Sequence, residues 1–137
     1  TEPIAASLTV GSHASTFGGN PVAAAAAVEV LRIMLAEGFL AGVRERSRYF
    51  LGRLEELAGR HAALAAGARG RGLLLGLVLT ERGVELGATM VQRMFEEGAL
   101  INFAGNAVLR FVPPLIVTEA EIDLLVDRLD RVLSALA

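Results

Sequence analysis

Val43, Ser47, Phe50, Leu54, Leu57 and His61 recur at alternating steps of four and three, which puts them on one face of a helix. Ahead of them, Asn20 followed by Pro21 offers an N-cap with proline at the first helical position, and Glu37-Gly38 offers a stop. These signals predict a helix from Pro21 to about Glu37. The glycines and arginines of Gly67-Ala68-Arg69-Gly70-Arg71-Gly72 then break the helical period and read as a turn. The turn leads into the short apolar run Leu73-Leu74-Leu75-Gly76-Leu77-Val78-Leu79, a buried strand. A third helix carries Leu86, Met90, Val91, Met94 and Phe95 and ends at Glu97-Gly98. Ala99 to Phe103 and Ala107 to Val112 form two strand-like runs around Ala104-Gly105-Asn106, a hairpin signal, and Pro113-Pro114 stops the second. Thr118-Glu119-Ala120-Glu121 is a capping box for a final helix with its apolar stripe on Ile122, Leu125, Val126, Leu129, Val132, Leu133 and Leu136. Asp127 and Arg131 are spaced for a solvent-side pair on that helix.

The order helix, helix, strand, helix, strand, strand, helix, without an internal repeat, predicts an α+β fold. A small antiparallel or mixed sheet is covered by helices on one face. The residues before Asn20 and the alanine-rich helix after it are suited to pack on something beyond this segment.

Composition narrows the function classes. The chain has 137 residues, is about half hydrophobic, and carries a net charge of -2. That gives no electrostatic case for nucleic acid or for an anionic membrane. Arg44, Arg46, Arg48 and Arg53 cluster, but Glu45, Glu55 and Glu56 are interleaved, as on a solvated helix face. The absence of cysteine excludes a disulfide framework and fits a cytoplasmic enzyme. His13 and His61 stand too far apart to suggest a metal cluster, so no metal site is expected, and His61 reads as a helix-end histidine. Glu29, Arg32 and Glu37 interrupt the apolar stretch after Pro21, which argues against a membrane span. Thr1-Glu2-Pro3-Ile4 resembles neither a natural start nor a signal peptide, and is expected to be internal to a longer protein. All 13 basic residues are arginine; there is no lysine.

Two places carry candidate chemistry. Ser15-Thr16-Phe17-Gly18-Gly19-Asn20-Pro21 brings two hydroxyls and two glycines to a helix N-terminus, an arrangement suited to a phosphate. The residues alone favour a plain capped helix after a glycine turn. Arg110 is the one charged residue between Ala99 and Pro114, and alternation sets it with Val108 and Val112, opposite Leu109 and Phe111. Its planar fork matches a carboxylate, and an edge-strand arginine reaching solvent explains it equally well.

His13-Ala14-Ser15-Thr16-Phe17-Gly18-Gly19-Asn20-Pro21, Arg71-Gly72-Leu73-Leu74-Leu75-Gly76, Asn102-Phe103-Ala104-Gly105 and Leu109-Arg110-Phe111-Val112-Pro113-Pro114-Leu115 occur in that order. Together they resemble the C-terminal third of a class-III pyridoxal-phosphate aminotransferase, nearest the acetylornithine and ornithine aminotransferase group. The resemblance implies that residues 1–20 end the large cofactor-binding domain of a fold-type I enzyme, and that 21–137 form the connecting helix and the small C-terminal domain. It implies a homodimer in which Thr16, helped by Ser15, reaches the pyridoxal 5'-phosphate of the other subunit, and in which Arg110 holds the substrate α-carboxylate. The Schiff-base lysine would lie upstream, so this segment carries no catalytic residue and is expected to be inactive alone. The implied reaction is amino exchange between N-acetylornithine and 2-oxoglutarate, in arginine biosynthesis. Ornithine, succinylornithine or 4-aminobutyrate as donor, or a non-enzymatic binding or dimerisation module, are the alternatives.

Overall fold

The computed structural model describes residues 1–105 and 107–137; Asn106, in the expected hairpin turn, lies outside the described residues. The chain divides into two units, Thr1–Phe39 and Leu40–Ala137.

The first unit holds a short helix α1 (Glu2–Ala5) and the helix α2 (Pro21–Met34). Asn20 caps α2 as its sequence predicts: the side-chain oxygen accepts from the Ala23 N–H at 2.9 Å, while its amide donates to the Phe17 carbonyl at 2.6 Å. The helix ends three residues before the expected Glu37. Ala36 N–H donates back to Ile33 at 3.2 Å, so the last turn tightens before Gly38 is reached. No residue of α2 is buried.

The second unit is built on helix α3 (Phe39–Arg60), strands β1 (Ala65–Arg71) and β2 (Leu74–Leu79), helices α4 (Glu81–Glu85) and α5 (Gly87–Glu96), strands β3 (Asn102–Ala104) and β4 (Val108–Phe111), and helix α6 (Glu119–Ser134). The four strands form one antiparallel sheet in the order β1-β2-β4-β3, so the α+β expectation holds and every strand pair is antiparallel. Alternation sorts the sheet into two faces. On the inner face Leu77 stands opposite Leu109 and Leu75 opposite Phe111. All four are buried, together with Phe50, Leu54 and Leu57 of α3, Met90 and Met94 of α5, and Ile122, Val126, Leu129 and Leu133 of α6. Phe50 meets Phe111 edge-on with ring centroids 5.6 Å apart. The capping box of α6 forms as read: Thr118 Oγ1 accepts from the Glu121 N–H and the Glu121 carboxylate accepts from the Thr118 N–H at 2.8 Å.

Four details depart from the sequence reading. The segment taken as a turn, Gly67 to Gly72, is mostly the edge strand β1, and only Gly72 and Leu73 turn. One of the glycines that disguised it has a steric cause, because a Cβ at Gly70 would lie 2.3 Å from the Leu74 carbonyl oxygen. The third helix is preceded by the separate α4, capped by Thr80. On α5 the methionines are buried, whereas Phe95 is exposed. Asp127 and Arg131 do not pair with each other: Arg131 reaches Glu97 at 2.8 Å and Asp127 faces Arg53 at 3.7 Å. Arg53 also pairs with Asp123, and Arg46 donates to the Leu115 carbonyl at 3.0 Å, so part of the arginine cluster ties α3 to the end of the chain.

Candidate functional site

The hydroxyl loop belongs to the first unit. Ser15 and Thr16 are both exposed, just before the capped start of α2. Ser15 Oγ accepts from the Gly18 N–H at 3.0 Å, which bends the loop back on itself and leaves the hydroxyl proton available for an acceptor. Among the described residues, Thr16 makes no side-chain hydrogen bond, so its hydroxyl faces outward as a ready donor. Phe17 beside it is 81% exposed. Two hydroxyls and the backbone N–H groups near the helix start form a donor set that fits a phosphate.

Arg110 belongs to the second unit. It lies on β4, an interior strand, so the edge-strand explanation does not apply. Its neighbours Leu109 and Phe111 turn into the core, and Arg110 is exposed on the outer face, with Val112 66% exposed beyond it. In register Arg110 stands opposite Gly76 on one side and Asn102 on the other, and Gly76 stands opposite Arg69. One cross-strand row on the outer face therefore reads Arg69, Gly76, Arg110, Asn102. A depression of about 430 Å³ over this row is lined by Arg69, Arg71, Leu74, Gly76, Val108 and Arg110 among others. Val108 closes over Gly76, since a Cβ at position 76 would lie 2.4 Å from a Val108 methyl.

A second depression of about 740 Å³ adjoins the first through Arg71 and adds Arg44 and Arg48. Among the described residues none of Arg44, Arg48, Arg69, Arg71 or Arg110 takes part in an ion pair or side-chain hydrogen bond, whereas Arg53 and Arg131 are paired with carboxylates and Arg46 and Arg128 with carbonyls. These five arginines line the two adjoining depressions, with the carboxylate of Glu45 in the second; Arg93, also without a partner among the described residues, lies elsewhere.

Arg69 and Arg71 escaped the sequence reading as candidates because their segment was given to a turn. Their spacing of two, ahead of a glycine and an apolar strand, is the signal that places both on one strand face. Among the described residues no group of three or more His, Asp or Glu side chains is arranged to hold a metal, and no helix is long and apolar enough to cross a membrane.

The family model "Aminotransferase class-III" matches residues 1–133. The acetylornithine aminotransferase of Myxococcus xanthus is 48% identical over 123 residues, which cover 89% of this chain and 30% of that protein. A succinylornithine transaminase of Yersinia pseudotuberculosis is 42% identical over 122 residues, 89% of this chain and 29% of that protein. The solved structure of N-acetylornithine aminotransferase from Stenotrophomonas maltophilia K279a superposes with a TM-score of 0.78 at 32% identity, covering 86% of this chain and 32% of that one. The chain thus spans about a third of the length of these relatives.

Proposed function

The chain belongs to the class-III aminotransferases, and we propose that it is the C-terminal part of an acetylornithine aminotransferase, which exchanges the amino group of N-acetylornithine with the oxo group of 2-oxoglutarate in arginine biosynthesis. Residues 1–20 end the large cofactor-binding domain in this reading, and 21–137 are the connecting helix and the small domain. The whole protein is a cytoplasmic homodimer that takes small amino and oxo acids and neither nucleic acid nor membrane.

The observation that carries the reading is Arg110, exposed on an interior strand, without a carboxylate partner among the described residues, over an open depression. An arginine in that setting suits a substrate carboxylate, and its rigid fork would fix the Cα–H bond of the amino acid in one orientation. Class-III aminotransferases work with pyridoxal 5'-phosphate. Thr16 and Ser15 would hold the phosphate through their hydroxyl donors, and the bound cofactor supplies an electron sink for the carbon that loses its proton. With no lysine in the chain, the amine that anchors the cofactor and moves that proton belongs to the remainder of the protein.

The names and identities of the relatives support the acetylornithine donor. The 42% identical succinylornithine transaminase supports a second donor of the same shape. The full-length protein, assayed for glutamate formation from 2-oxoglutarate with N-acetylornithine, succinylornithine, ornithine and 4-aminobutyrate in turn, is expected to prefer N-acetylornithine in kcat/KM. A preference for 4-aminobutyrate, or no turnover of any donor, overturns the reading.

A further inference from the structure

We propose that Asn102 is a positioning residue for Arg110: its side-chain carbonyl accepts a hydrogen bond from the guanidinium and aims the fork at the substrate carboxylate. The inference rests on the reading of Arg110 as the residue that holds that carboxylate.

Asn102 on β3 and Arg110 on β4 are direct cross-strand partners. Opposed residues of antiparallel strands project from the same face, with Cβ atoms about 5 Å apart. That face is the outer one, because the next pair, Phe103 and Leu109, turns inward. Leu109 is buried in the core, and the Phe103 ring packs against the start of α5, where a Cβ at Gly87 would lie 2.6 Å from it. The backbone beneath Asn102 is therefore pinned at the adjacent residue, while Asn102 itself is exposed.

The surroundings of Arg110 single out this neighbour. Along its own strand it is flanked on the outer face by Val108 and Val112, and across β2 by Gly76, none of which carries a side-chain acceptor. Asn102 does. Asparagine is poorly suited to a strand, and among the described residues neither its side chain nor that of Arg110 is hydrogen-bonded, so both are free for each other and for a ligand. A free arginine side chain samples many rotamers, and that freedom is lost when a ligand fixes the fork. A neighbour that accepts one N–H beforehand removes part of the loss. The acceptor has to be uncharged. A carboxylate at position 102 would pair with the guanidinium and compete with the substrate, whereas the carboxamide takes one N–H and leaves the positive charge and the remaining donors to the ligand.

The test uses the full-length holoenzyme and butyrate, an unreactive single carboxylate, with dissociation constants read by calorimetry and folding followed by thermal melts. Asn102→Ala is expected to weaken butyrate about two- to tenfold, the range for one hydrogen bond, at an unchanged melting temperature. Asn102→Asp is expected to weaken it further, through the competing charge. Arg110→Lys is expected to weaken butyrate by itself, and adding Asn102→Ala to it should bring little further loss, because no fork is left to aim. If Asn102→Ala leaves binding unchanged while Arg110→Lys weakens it, the role of Asn102 is wrong and that of Arg110 stands. If Arg110→Lys changes nothing, both assignments fall. The same loss from Asn102→Ala with and without Arg110→Lys, or a loss that comes with a lowered melting temperature, makes Asn102 a structural residue and overturns the proposal. Binding by Asn102→Asp as tight as that of the unmodified enzyme also overturns it.

Discussion

The His61 imidazole lies 2.5 Å from the Asp130 carboxylate and fastens the end of α3 to α6. This hydrogen bond is the main influence holding Asp130 below its ordinary value of 3.8; partial burial opposes it, and the Arg60 guanidinium at 3.4 Å assists. A carboxylate whose pKa is lower folded than unfolded adds stability that is present above the unfolded value and is lost as pH falls through the folded one. Asp130→Asn in the full-length protein is therefore expected to lower stability near neutral pH by about 1 kcal/mol, a modest figure because the pair is partly solvent-screened. The gap between variant and unmodified protein should close below about pH 4. Thermal melts across pH 3 to 7 check this; a gap that widens in acid contradicts it.

The contact between Gly76 and Val108 yields a second expectation. A Cβ at position 76 would lie 2.4 Å from Val108 Cγ1, and the β-branched valine has little rotamer freedom with which to yield. Gly76→Ala is expected to cost about 1–3 kcal/mol, as for other overpacked sites. Adding Val108→Ala should recover part of that loss. A double-mutant cycle by denaturant unfolding measures it, and additive effects would mean that the two side chains do not meet.

Much of this architecture was legible where local chemistry and burial agree. Asn20-Pro21 and the Thr118-Glu121 box mark helix starts by hydrogen bonds that span only three residues, and the stripe through Ile122, Val126 and Leu129 has one period and one buried face. Arg110 was readable for the same reason, since Leu109 and Phe111 on either side declare the inner face of β4. Strand β1 was not. Its alternation is carried by glycine and arginine, and the contact that requires Gly70 comes from Leu74 in another strand. With β1 hidden, Arg69 could not be seen beside Arg110. The partners of Arg131 and Asp127 were also out of reach, because Glu97 caps the end of α5 and Arg53 belongs to α3. The hydroxyls of Ser15 and Thr16 were visible as residue types. A phosphate for them came from the family resemblance alone, since the residues by themselves favoured a plain capped helix.

Thr16→Ala in the full-length protein is expected to loosen the cofactor more than it changes the KM of either substrate. The side chain is exposed and makes no hydrogen bond to the described residues, so its removal leaves the cap at Asn20 intact. Losing one hydroxyl donor to a charged phosphate costs about 1.5–3 kcal/mol, which raises the cofactor dissociation constant roughly ten- to a hundredfold. Fluorescence titration of the apoenzyme with pyridoxal 5'-phosphate reads this directly. An unchanged constant would reduce Thr16 to a loop residue.

Arg110 is expected to govern turnover and to contribute little to the fold. It is exposed, without an ion pair or side-chain hydrogen bond among the described residues, and its strand is held by Leu109 and Phe111 on the opposite face. Truncating one side of a charged pair that becomes buried with its ligand costs about 2–5 kcal/mol, so Arg110→Ala should lower kcat/KM by roughly thirty- to several-thousandfold. Arg110→Lys keeps the charge but loses the two-pronged geometry, and should fall between Ala and the unmodified enzyme. Both half-reactions should suffer, because the amino acid and the oxo acid present the same carboxylate beside the reacting carbon. Stopped-flow measurement of each half-reaction, paired with thermal melts, separates the outcomes. A loss confined to one half-reaction would assign Arg110 to a single substrate, while intact kcat/KM with a lowered melting temperature would make it a stem that shields Val108 and Val112 from water.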